Sequence, residues 1–144
     1  MRRLRELTER EGHLTSGSDA ATTGHCAAFV RGADMAVFSA AVKPDNPELT
    51  EARRLGIPVV ERAEYLAAIA SGYGRTIAVS GTHGKTTVTG MLAAAMSDRL
   101  PTVHIGGTTK EKPRRENRDY FITEACEYRR SFLALHPDVG VILN

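Results

Sequence analysis

The stretch Thr76-Ile77-Ala78-Val79-Ser80-Gly81-Thr82-His83-Gly84-Lys85-Thr86-Thr87 constrains the fold more than any other part of the chain. It opens as a β-branched, apolar run, the pattern of a buried strand. It breaks at a Gly-x-x-Gly turn and continues into Lys85–Ser97, whose composition is helical, with an expected inward ridge of Val88, Met91, Leu92, Ala95 and Met96. A strand that passes through a glycine turn into a helix opening on Lys-Thr is an arrangement for phosphate. Glycines let main-chain N–H groups approach the oxygens, and the helix start adds partial positive charge. Lys85 brings a mobile full charge for the β- and γ-phosphates, and the Thr86 hydroxyl is a ligand for Mg²⁺. The common form of this loop would place its first glycine at Val79; here that glycine is Gly81, giving the shorter Gly-x-x-Gly-Lys-Thr. A plain strand–helix turn is the competing reading, and the flanking strand and helix weigh against it.

Size and charge leave room for such a domain. The 144 residues suit one domain or two small ones, and 42% hydrophobic with 25% charged residues is ordinary for an α/β protein. A formal charge of +2 makes no case for nucleic acid. No apolar run approaches the roughly 18 residues that span a bilayer, and the basic start Met1–Leu7 has no apolar segment behind it, unlike a secretory signal. Cys26 and Cys126 make one conceivable disulfide, but two cysteines in this composition favour reduced thiols, and with no CxxC partner for either the pattern argues against zinc.

Taken in order, residues 3–11 read as a helix with Leu4 and Leu7 on one face, ended by Gly12. Residues 13–16 read as a strand running into Gly17-Ser18-Asp19, where Asp19 either meets a ligand hydroxyl or amide or caps a turn. A short helical segment, 26–30, follows Gly24-His25. Residues 35–39 form a buried strand, and Asn46-Pro47 starts a helix over 47–55 that Gly56 ends. Residues 57–60 are a strand, held to an edge or a strand start by Pro58. A helix over 63–70 with Tyr65, Leu66 and Ile69 inward leads to the linker 71–74. Beyond the glycine turn come strands at 102–105, 120–123 and 139–143, the last expected to be buried, and a helical segment at 131–135. The polar, basic stretch 108–119 is either a solvated loop or a source of cations for a phosphorylated substrate. Glu124, at the end of a strand beside the glycine turn, is placed to reach the metal of Thr86 directly or through water; Glu127 is a weaker candidate. This alternation predicts an α/β fold of two parallel-sheet units, 1–71 and 72–144. With no strand before the first helix, Leu4 and Leu7 are expected to lack part of their support.

Several of these segments together resemble the Mur ligases, and within that family the alanine-adding branch. Val79–Thr87 is similar to the family's ATP loop, Ser39–Glu48 and Gly56–Val60 to its UDP-substrate domain, and Thr123–Tyr128, Ser131–Leu133 and Val141–Asn144 to its metal-binding segment. The resemblance implies a truncated Rossmann-like UDP-substrate domain over 1–71 and the first part of a P-loop ATPase domain over 72–144. It implies a cytoplasmic step of peptidoglycan synthesis in which ATP phosphorylates the lactyl carboxylate of UDP-N-acetylmuramate and the amine of L-alanine attacks the acyl phosphate. In that reading Lys85 stabilises the transferring phosphoryl group, Thr86 and Glu124 hold Mg²⁺, and Gly81, Thr82, Gly84 and Thr87 form the cradle. His83 shapes the loop, while Asp19, His25, Ser39 and Ala40 fall in the region receiving the uridine diphosphate. Because the family begins with a glycine-rich loop and continues well beyond Asn144, the chain is expected to be an internal fragment, inactive in ligation by itself. The rival expectations are another Mur-type ligase, such as the murein peptide ligase, and a noncatalytic nucleotide-binding remnant.

Overall fold

The computed structural model describes residues 1–106, 117–126 and 128–144, and for 128–130 only the backbone. Lys110, Lys112, Arg114, Arg115 and Glu127 therefore lie outside the described residues. The chain divides into two compact units, Met1–Tyr65 and Leu66–Asn144.

In the first unit, helix α1 (Arg2–Arg10) is laced by Arg–Glu pairs at helical spacing, Arg2–Glu6 at 3.2 Å and Arg5–Glu9 at 2.8 Å. Leu4 and Leu7 are buried, so the lack of support expected for them does not occur. The strand expected at 13–16 is also absent. Residues 13–19 have no regular structure, and Leu14 is fully exposed. Thr15 is tied instead to α1, through its hydroxyl to Glu9 and its carbonyl to Arg5. A short 3₁₀ turn, Ala27–Val30, packs against helix α2 (Pro47–Arg54). The start of α2 follows from its sequence: the Asn46 side chain accepts from the N–H of Glu48 (2.9 Å) and Leu49 (3.3 Å), and Pro47 occupies the first helical position. Gly56, at φ +72°, turns the chain out of it. Strands β1 (Ala36–Phe38) and β2 (Val59–Glu61) pair in parallel, with Val37 opposite Val60. Pro58 stands just before β2, where its carbonyl accepts from Ala36 at 2.9 Å. β1 is half-buried rather than buried, and Met35 is exposed.

Helix α3 (Arg62–Ala70) spans the division between the units. Ala63, Leu66 and Ala70 are its buried residues, with Tyr65 and Ile69 half-buried. In the second unit, β3 (Arg75–Ser80), β4 (Thr102–His104), β5 (Tyr120–Glu124) and β6 (Val139–Ile142) form a parallel sheet in the order β4-β5-β3-β6. Helix α4 (Lys85–Ala95) packs on β3 and β5. Val79, Phe121, Ile122 and Thr123 are completely buried at the centre, because β3 and β5 have a neighbour on each side and bury both faces. The inward residue of α4 is Thr89; Met91, expected on the inner ridge, is exposed. β6 was expected to be buried and is not: it is the outer strand, with Ile142 87% exposed. Its start is anchored to β3 by the Asp138 carboxylate, which accepts from the Thr76 N–H at 2.7 Å.

Candidate nucleotide site

From β3 the chain proceeds through α4 to β4, on one side of β3, whereas β6 lies on the other side. The strand order thus reverses at β3, and the crevice beyond the C-terminal end of such a strand is where open α/β sheets gather ligands. Gly81–Gly84 occupies that end.

The turn is built around two glycines. Gly81 has φ +136°, and a Cβ placed on it would sit 2.6 Å from the Leu143 carbonyl oxygen and 2.7 Å from the Leu143 Cβ. No L-residue side chain fits there. Gly84, at φ +82°, is the N-cap of α4, and its carbonyl accepts from the Val88 N–H at 2.9 Å. The end of β6 supports the turn from outside: Leu143 N–H donates to the Ser80 carbonyl at 2.9 Å, and Thr82 N–H donates to the Asn144 carbonyl at 3.1 Å. The Thr82 amide is thereby committed within the protein. The N–H groups left open to an anion are those of the first turn of α4, where Thr86 and Thr87 are exposed and their N–H groups lack intrahelical acceptors. Lys85 arches back over the turn, its Nζ donating to the Gly81 carbonyl at 2.5 Å and reaching the Thr82 carbonyl at 3.5 Å. His83 is exposed.

Glu124 ends β5 in register with Val79, two residues before Gly81. Its Oε2 accepts from the Gly106 N–H at 3.0 Å, which fixes the carboxylate. Its Oε1 is buried and has no hydrogen-bond partner among the described residues. An ionised oxygen left so costs about 1–3 kcal/mol or more, and a cation or a cation-bound water removes that deficit. Among the described residues no group of three or more His, Cys, Asp or Glu side chains could hold a metal by itself. One hydroxyl, one carboxylate, phosphate oxygens and water are nevertheless an ordinary Mg²⁺ shell, so Thr86 and Glu124 fit a phosphate-bound magnesium rather than a protein-enclosed one.

The first-unit candidates do not converge in the same way. Asp19 is exposed and closes its own turn, with its carbonyl accepting from Thr22, Thr23 and Gly24 and its Oδ1 from the Ala21 N–H at 2.8 Å. That is the capping role. His25 meets the Glu48 carboxylate at 3.1 Å and the Ser18 hydroxyl at 3.2 Å. Ser39 and Ala40 follow β1 and are half-buried, and the Ser39 carbonyl accepts from Val42. Sequence reasoning gave no individual role to Glu48 and Ser18 here, or to Gly106, Leu143 and Asn144 around the glycine turn. Gly106 left a trace as a glycine after a strand; the others act through pairings that a linear reading does not contain.

A family model described as "Mur ligase family, catalytic domain" matches residues 1–74. The chain is 48% identical to the UDP-N-acetylmuramate–L-alanine ligase of Acetivibrio thermocellus, over 85% of this chain and 27% of that protein. It is 40% identical to the enzyme of the same name from Caldicellulosiruptor saccharolyticus, over 96% of this chain and 35% of that protein. The crystal structure of the UDP-N-acetylmuramate–alanine ligase of Thermotoga maritima superposes with a TM-score of 0.72 at 28% identity, covering 82% of this chain and 29% of that one. A UDP-N-acetylmuramate:L-alanyl-γ-D-glutamyl-meso-diaminopimelate ligase from Neisseria meningitides gives 0.66 at 26% identity, covering 95% of this chain and 48% of that one. The chain thus spans roughly a quarter to a third of the length of these curated relatives. With the family model matched over just more than half its residues, and a parallel α/β architecture shared with a solved member, the chain belongs to the Mur ligase family.

Proposed function

We propose that this chain contributes the ATP loop and part of the UDP-substrate region to an ATP-dependent ligase that joins L-alanine to UDP-N-acetylmuramate in the cytoplasm. Residues 1–71 serve the UDP substrate and 72–144 the nucleotide. The observation that carries the reading is the Gly81–Thr87 turn at the point of strand reversal, with Lys85 over it and the unpartnered Glu124 Oε1 at the end of the adjacent strand. A carboxylate is a poor electrophile, and phosphorylation gives it a leaving group that an amine displaces. The protein's share is placement and charge stabilisation. Lys85 leaves the Gly81 carbonyl to meet the transferring phosphoryl oxygens, and the first-turn amides of α4 hold the rest of the triphosphate. Magnesium, when bound through Thr86 and Glu124, neutralises charge on the phosphate oxygens.

The alanine-adding reading is favoured over the peptide-adding one of the Neisseria protein because the relatives at 40–48% identity bear the alanine name. Titration calorimetry with ATP and Mg²⁺ tests the nucleotide assignment. The expected result is binding that Mg²⁺ strengthens and that Lys85→Ala weakens at least about tenfold, roughly 1.4 kcal/mol. Equal affinity for both proteins would overturn the assignment.

A further inference from the structure

We propose that Glu48 is the positioning residue of the first unit's loop, holding His25 as the tautomer protonated on Nδ1 and leaving Nε2 as a hydrogen-bond acceptor for a ligand. Glu48 lies in the first turn of α2, where the Asn46 cap fixes the backbone. Its carboxylate receives both ends of the loop 18–26. Ser18 Oγ donates to Oε1 at 2.6 Å and reaches Oε2 at 2.8 Å, His25 Nδ1 lies 3.1 Å from Oε1, and the Cys26 N–H donates to Oε1 at 3.2 Å. Between these ends the loop is closed by its own bonds to the Asp19 carbonyl. The carboxylate side chain is only 20% exposed and the imidazole 30%, so the pairing is partly shielded from water.

The proton assignment follows from counting donors. An ionised carboxylate only accepts, and the single Ser18 hydroxyl proton is directed at it. Nδ1, within reach of both Ser18 Oγ and Glu48 Oε1, must therefore bring a proton of its own. In the neutral ring the lone pair then resides on Nε2, which has no partner among the described residues. The ligand group suited to it is an N–H or O–H donor, such as a sugar hydroxyl or a pyrimidine imide. Which ligand arrives there rests on the proposed UDP-substrate reading; the tautomer does not.

Nitrogen-15 spectra of the histidine side chains of the full 144-residue chain at pH 8.5, where an ordinary imidazole is neutral, separate the two. The expected spectrum shows His25 with a protonated Nδ1 and an unprotonated Nε2 in the wild type. In Glu48→Gln the two tautomers are mixed. Uridine diphosphate shifts the His25 resonances of the wild type and binds Glu48→Gln about tenfold more weakly, with affinity for ATP and Mg²⁺ unchanged. A wild-type His25 protonated on Nε2 overturns the placement by Glu48, whether or not Glu48→Gln folds and whether or not uridine diphosphate binds. A protonated Nδ1 with no response to uridine diphosphate supports the placement and overturns the substrate reading alone.

Discussion

Gly81 is the residue with least freedom to change. Its left-handed φ and the 2.6 Å gap to the Leu143 carbonyl oxygen exclude any side chain. Gly81→Ala is expected to destabilise the chain by about 1–3 kcal/mol through backbone strain alone, and to weaken nucleotide binding because the turn and the end of β6 must separate. Urea denaturation and calorimetry read the two effects. Glu124→Gln tests the other half of the site. It keeps an oxygen for the Gly106 N–H and removes the charge, so the gain in ATP affinity on adding Mg²⁺ should shrink about tenfold while affinity without Mg²⁺ stays put. Lys85, Thr86 and Glu124 could be proposed from sequence because the chemistry expected of them depends on residue type and on position after a strand. Leu143 and Asn144 could not, because their part is steric and main-chain: one fills the space a Cβ would need, and the other accepts from Thr82.

Among the elements, α2 was read from sequence nearly to its ends, since an Asn cap, a proline at the first position and a terminal glycine are local signals. Asn46→Ala should cost about 1 kcal/mol in denaturant unfolding. The same helix has a pH-dependent element that the sequence did not reveal. The Arg54 guanidinium, aided by Arg31, holds the Glu51 carboxyl down at about 2 against an ordinary 4.5. A depressed folded-state value contributes stability that is complete above pH 4.5 and is lost as the pH falls from there toward 2. Glu51→Gln should therefore lower stability at pH 7 and flatten its decline over that acid range, measured as the denaturation midpoint against pH. The strand readings divide by neighbour. β3 and β5, buried on both faces, announce themselves as apolar runs. Residues 13–16 carry one leucine and polar neighbours, and without a partner strand Leu14 faces water. β6 shows the converse limit: an apolar run identifies a strand without telling what covers it.

At the scale of the molecule, strand–helix alternation predicted two parallel α/β units, and the second forms a four-stranded parallel sheet with β3 between β5 and β6. The division expected at 71–72 compares with a division of contacts at Tyr65 and Leu66, inside α3. Helical periodicity runs unbroken across that point and so gave no sign of it. The first unit has two strands among the described residues. The second unit's core is concentrated in few side chains. Phe121 is fully buried, its ring centroid 4.9 Å from that of Tyr73 at a tilt of 41°, so Phe121→Ala should cost about 3–5 kcal/mol in the same unfolding assay. Each role proposed for the second unit depends on the turn after β3 receiving the phosphates of ATP. Amide proton–nitrogen correlation spectra of the 144-residue chain, recorded with Mg²⁺ and a nonhydrolysable ATP analogue, test it most directly. The largest shifts are expected at Gly81–Thr87 and around Gly106 and Glu124, and lost in Lys85→Ala; an unmoved Gly81–Thr87 segment in the wild type, or the same shifts in Lys85→Ala, would rule out a phosphate site at this turn.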